Sequence, residues 1–158
     1  MGANRLREAR IAEIEEMDRL GSARLGPLTE HAFLAAGAAL YAGDGGKGDG
    51  RIVFAGSEAA MVAFFLAWLR CFFSIDESRL RVAIYLPTTG DLAAAEAFWS
   101  SATGIPVSQF TKPYRTERAP SARASPTGHG SARIVYSCAR THRGVMGLVR
   151  ALLSSTPP

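Results

Sequence analysis

The chain has 158 residues, of which 47% are hydrophobic and 20% charged, and a formal net charge of +4. That length suits one core of ordinary size and is tight for two. The composition is that of a soluble globular chain and excludes a membrane-spanning class. The run from Ala59 to Phe73 is interrupted by Arg70 and falls short of the roughly 18 uninterrupted apolar residues a span needs.

The charge is unevenly placed. Residues 1–24 balance, residues 25–104 carry five bases against eight acids, and residues 105–158 carry an excess of +7. That last block holds Lys112, Arg115, Arg118, Arg123, Arg133, Arg140, Arg143 and Arg150 against Glu117 alone. A block this rich in arginine suits phosphate contacts. The N-terminus is charged and has no apolar signal segment, which predicts a cytoplasmic chain. Cys71 and Cys138 have no CxxC partner and sit in apolar stretches, which predicts reduced core thiols.

In chain order, Leu6, Ala9, Ile11, Ile14, Met17 and Leu20 recur near helical spacing between charges, predicting an amphipathic N-terminal helix ended by Gly21, Gly26 and Pro27. Residues 1–26 are read as this arm and residues 27–155 as the main domain. Thr29 is placed to cap a second helix running to Gly43. Ala35, Ala39 and Gly43 form a small-residue seam at i, i+4 spacing, close enough for a partner helix, with Ala36 and Leu40 beside it. Gly43, Gly45 and Gly46 offer the positive φ values that stop a helix and leave carbonyls open near Asp44. An acid at a helix C-terminus opposes the macrodipole by roughly 0.3–1 kcal/mol, so a compensating cation is expected there, and oxygen ligands suit magnesium or calcium.

Downstream, Arg51 to Ala55 reads as a short strand, and Ser57 as the cap of an apolar helix, Glu58 to Phe73. Arg79 to Leu86 alternates basic and apolar residues, a strand with one buried face and Arg79 and Arg81 on the other. Asp91 caps a helix to about Ser101. Gln109 to Arg115 reads as an extended segment that Pro113 confines to an edge or bulge. A loop from Thr116 to Gly130 then leads to a strand, Ala132 to Ser137, and the two strands are expected to form a hairpin. His142 to Leu153 closes the chain as an amphipathic helix.

Leu40-Tyr-Ala-Gly-Asp44-Gly45 resembles the signature helix of the LAGLIDADG homing endonucleases, whose motif closes on Gly-Asp-Gly or Ala-Asp-Gly, and the order of elements after it is also similar. Ala39 stands where many members have Gly, and Ala42 where the eponymous motif has its first Asp. The resemblance implies an α+β, LAGLIDADG-like mixed fold: an antiparallel saddle sheet packed on helices, here with an N-terminal helix added. It implies Asp44 as the metal-binding carboxylate and the helix carrying Ala35, Ala36, Ala39, Leu40 and Gly43 as the interface. With one motif per chain, cutting both strands needs a homodimer on a pseudo-palindromic site. The implied activity is magnesium-dependent hydrolysis of double-stranded DNA, as in a mobile-element endonuclease, located at the nucleoid in a prokaryote. Lys47, Arg51, Arg79, Arg81, Lys112, Arg115 and Arg133 are then candidate DNA contacts, with Gln109 and Tyr114 on the same surface. Lys112 is the candidate basic partner at the scissile phosphate, beside Asp44 as the catalytic carboxylate. The alternative is a non-catalytic DNA-binding protein on the same scaffold, and a third reading is an interaction protein using Leu6 to Leu20.

Other chemistries find little support. Gly43-Asp-Gly-Gly-Lys47 departs from the GxxxxGK[ST] phosphate loop, and Asp44 and Asp49 do not follow calcium-loop spacing. His31, His129 and His142 lack acid or cysteine companions at ligand spacing. Ser137 and Cys138 lie near His142 without a residue to orient them as nucleophile and base.

Overall fold

The computed structural model describes residues 2–117 and 127–155, so Arg118 and Arg123 lie outside the described residues. The chain divides into two compact units, Met1–Phe33 and Leu34–Pro158. In the first, helix α1 spans Gly2–Leu25. It runs through Gly21, because one interior glycine costs only about 1 kcal/mol, and stops at Gly26, whose φ is 61°. Leu6, Ile11, Ile14, Met17 and Leu20 are all exposed. Thr29 caps helix α2, Glu30–Asp44, by accepting from the Ala32 amide at 3.1 Å, as expected.

The second unit holds Leu34–Asp44 of α2, then β1 (Ile52–Gly56), α3 (Ala59–Phe72), β2 (Leu80–Pro87), α4 (Leu92–Thr103), β3 (Tyr114–Thr116), β4 (Ser131–Tyr136) and α5 (Ala139–Ser154). The architecture is α+β, with a four-stranded sheet in the order β1-β4-β2-β3. Strand β4 is antiparallel to both β1 and β2, whereas β3 is parallel to β2. The sheet is therefore mixed rather than wholly antiparallel, and the expected hairpin between β3 and β4 does not form, because β2 lies between them. Burial explains the order. Ala132, Ile134 and Tyr136 of β4 are fully covered and need partners on both sides, while every residue of β3 is exposed and follows Pro113, which suits an edge.

Alternation builds the core. Ile52, Phe54, Leu80, Val82, Ile84, Leu86, Ala132, Ile134 and Tyr136 share one face and are at most 2% exposed. Helices α3 and α4 cover that face; Phe54 stacks on Phe65 of α3 with ring centroids 4.3 Å apart. Asp91 caps α4 as expected, accepting from the Ala94 amide at 3.1 Å, and Gly104 ends it with a φ of 70°. The start of α3 differs: Glu58, not Ser57, is the cap residue, and no side chain closes the turn. Helix α5 begins at Ala139, three residues before His142, with Cys138 as its cap. The cysteines are free but are not core residues. Cys71 is exposed on α3, and Cys138 is half-buried at its helix terminus. Among the described residues no helix is long and apolar enough to cross a membrane.

Candidate functional site

The foot of α2 is built around Tyr41, which is fully buried and stacks on Phe65. Its hydroxyl donates to Gly46 O at 2.7 Å and accepts from the Val53 amide at 3.5 Å. Burial pushes its phenol pKa above the usual value. The Lys47 ammonium donates to Tyr41 O at 2.9 Å and to Gly45 O, and lies 5.4 Å from the Tyr41 ring centroid. Lysine thus places a positive charge at the helix C-terminus, and the carbonyls of Tyr41, Gly45 and Gly46 each accept a side-chain hydrogen bond.

Gly45 and Gly46 serve contact rather than conformation. None of Gly43, Gly45 and Gly46 has a positive φ, contrary to expectation. A Cβ at residue 45 would collide with the Tyr41 ring, and one at residue 46 would come within 2.9 Å of Val53 Cβ. Gly45 pairs with Phe54 as an antiparallel bridge on the outer side of β1, so Asp44 stands at that side of the sheet. The Asp44 carboxylate is exposed, and among the described residues no hydrogen bond or ion pair holds it.

A clamp holds the glycine-rich segment from the other end of the chain. Arg143 of α5 donates to both carboxylate oxygens of Asp49, at 3.1 and 2.6 Å, and holds that carboxyl below the usual aspartate range. The His142 ring is 2% exposed, with Nε2 3.3 Å from Gly46 O and Nδ1 3.6 Å from Asp49 Oδ1. His142 therefore faces this loop, and not Ser137 or Cys138 as a base. Sequence spacing gave no sign of the clamp, because its halves lie 94 and 96 residues apart.

The sheet face opposite the core is where the basic residues gather. Register places Arg81 beside Val135, Arg133 beside Ala83 and Ala55, and Tyr85 beside Ser131 and Tyr114. Arg81 and Tyr85 are exposed and Arg133 is half-buried, so β2 and β4 place two arginines on one surface, with the Arg81 guanidinium donating to Ser78 O at 2.7 Å and Leu80 O at 2.8 Å. Exposed Lys112 and Tyr114 lie at its β3 edge. Arg115 follows, its guanidinium fixed by Thr88 O and Gly90 O, both at 2.8 Å.

Other candidates have different duties. Arg79 precedes β2, in a 3-10 turn at Glu77–Arg79. It donates to Ser137 O and lies 5.5 Å from the Tyr136 ring centroid, so it caps the end of β4 and does not join Arg81. Gln109 donates to Glu77 O at 2.7 Å and Leu80 O at 2.8 Å, tying its loop to the start of β2. Lys47 is the helix cap just described. Arg51 is exposed immediately before β1.

Asp44 and Lys112 are not brought together. From the Gly45 bridge, the order β1-β4-β2-β3 puts four strand spacings between them, roughly 19 Å. No group of three histidine, cysteine or acidic side chains converges among the described residues. On α2, Gly37, Ala38 and Tyr41 are buried inside the unit, Ala39 and Gly43 are exposed, and Ala35, Ala36 and Leu40 are half-buried. The seam expected at an interface is thus distinct from the inward face. Tyr85 was missed by the sequence reading, although its place in the β2 alternation beside Arg81 was a usable signal.

No family model matches this chain, and no curated protein matches it.

Proposed function

We propose that this chain binds double-stranded DNA on the exposed face of its sheet and, as a homodimer of LAGLIDADG type, cuts it by magnesium-dependent phosphodiester hydrolysis. The observation that carries the reading is the placement of Arg81 and Arg133 on adjacent strands of one face, with Lys112 at its edge. Guanidinium groups there meet phosphates at a spacing the strands fix, and the bound counterions they release make the affinity fall with salt. The motif at Leu40 to Gly45 supports the LAGLIDADG-like plan, and the exposed Ala39 and Gly43 support pairing through α2.

Asp44 is the residue that would hold the metal. A single free carboxylate would suit magnesium, which would keep several waters and take further ligands from substrate phosphates. Bound magnesium supplies an activated water and neutralises the leaving oxygen. The chain's own contribution is to keep Asp44 unpaired at the helix end, while Lys47 offsets the local carbonyl dipoles.

A second reading, a DNA-binding protein without cleavage, is favoured by the separation of Lys112 from Asp44, which leaves no basic partner for the carboxylate within one chain. Cleavage of a randomised duplex library by purified protein, in magnesium and in EDTA, decides between them. Magnesium-dependent cuts that Asp44→Asn abolishes while binding persists are the expected result. Equal binding without cuts from either protein establishes the second reading, and no salt-sensitive duplex binding refutes both.

A further inference from the structure

Tyr85 and Tyr114 stack almost in parallel across the β2–β3 pair, with ring centroids 4.4 Å apart and an interplanar angle of 8°. Both rings stay open to solvent, at 38% and 52% exposure. A cross-strand aromatic pair stabilises a sheet edge by itself, but two further features point outward. Strand β3 is the last in the sheet, so among the described residues no strand lies beyond the outer face of Tyr114. That ring also lines a depression of about 490 Å³ with Lys112, Pro113 and Arg115, where the guanidinium is already fixed by two carbonyls.

An exposed aromatic ring that shares a depression with an exposed ammonium and an immobilised guanidinium matches one ligand chemistry, a planar base attached to a phosphate. Stacking on tyrosine tolerates any base, and it requires a base whose own face is not covered by a neighbour in a duplex. We infer that the Tyr114 depression is a subsite for one unpaired nucleotide in bound DNA, its base on the outer face of Tyr114 and its phosphate at Lys112. The inference rests on the DNA-binding reading above and assigns it a preference for duplexes that expose a base.

Fluorescence anisotropy with a matched duplex and with the same duplex carrying a single-adenine bulge tests it. The bulged duplex is expected to bind about tenfold more tightly. Tyr114→Phe keeps that difference, and Tyr114→Leu, which retains bulk without an aromatic face, removes it. With 2-aminopurine at the bulge, wild type and Tyr114→Phe quench its emission more than Tyr114→Leu does. Thermal melting of each variant separates loss of the subsite from loss of strand β3. Equal affinity of wild type for both duplexes, or an unchanged preference in a folded Tyr114→Leu, overturns the inference and leaves the DNA-binding reading standing. Displacement of the bulged probe by equimolar adenosine monophosphate overturns it in favour of a free nucleotide. Failure to bind the matched duplex at all overturns both.

Discussion

Gly37 of α2 lies directly against the indole of Trp68 on α3, so closely that a Cβ at residue 37 would overlap the ring. Trp68 is fully buried and its Nε1 donates to Leu34 O at 3.0 Å, which fixes the ring in place one turn before the glycine. The glycine in the middle of this small-residue helix is thus an internal packing requirement, and the exposed small residues Ala39 and Gly43 lie elsewhere on the helix.

Gly37→Ala is accordingly expected to lower stability by at least about 1–3 kcal/mol, the usual cost of overpacking a core. Gly43→Ala, with nothing within 4 Å of the new Cβ, is expected to be neutral or slightly stabilising. Urea denaturation of the two variants checks the contrast, and equal destabilisation would contradict the inward assignment of Gly37.

Lys47 and Arg81 should separate by function. Lys47→Met removes the cap on Tyr41 O and Gly45 O and is expected to lower stability by about 0.5–1 kcal/mol. Its effect on the salt dependence of DNA binding should be nil. Arg81→Ala and Arg133→Ala should each reduce the slope of log affinity against log salt by about 1. Anisotropy titrations between 50 and 200 mM salt, concentrations over which such slopes are resolved, provide the measurement.

The Arg70–Glu77 pair carries a pH dependence of known sign. Arg70 donates to both Glu77 oxygens at 2.8 Å and to Thr103 O at 2.9 Å, joining the end of α3 to the end of α4. The guanidinium holds the Glu77 carboxyl below its ordinary value. A depressed carboxyl contributes stability above its unfolded value and loses it as pH falls through the folded one. Glu77→Gln should therefore cost about 0.5 kcal/mol at neutral pH, as expected for a half-exposed pair, and the deficit should fade below about pH 4. Denaturation of both proteins across that range is the check.

Cys138 should be the more acidic of ordinary thiols. The Thr141 hydroxyl, and then backbone amides at the start of α5, hold its thiol pKa below the usual value. In a Cys71→Ser background, the pH profile of Cys138 alkylation by iodoacetamide should lie below that of a free cysteine. Thr141→Val should move the profile upward and slow the reaction at pH 7. An unmoved profile would show that the hydroxyl does not stabilise the thiolate.

Local physics made much of this chain legible. The caps at Thr29 and Asp91 act within three residues, and the alternation of Leu80, Val82, Ile84 and Leu86 against Arg81 and Tyr85 defines a two-faced strand wherever that strand lies. For the same reason Arg81 was readable as outward-facing, whereas Arg79 was not readable as a cap on β4, because its partner Ser137 lies 58 residues away. Asp44 and its glycines identified the end of a helix from sequence. What Gly45 and Gly46 are for was decided by Tyr41 and Val53 pressing on them.

Periodicity specifies which face of an element seeks the core but carries no information about its neighbours. Two strands close in sequence were therefore expected to pair as a hairpin, and the greater burial available to β4 between β1 and β2 placed it elsewhere. That one choice of partner put Asp44 and Lys112 on opposite sides of the sheet and set Tyr85 against Tyr114. Composition, caps and alternation follow from each residue and its near neighbours; strand order and the site follow from which apolar faces can be covered together, which only the folded chain determines.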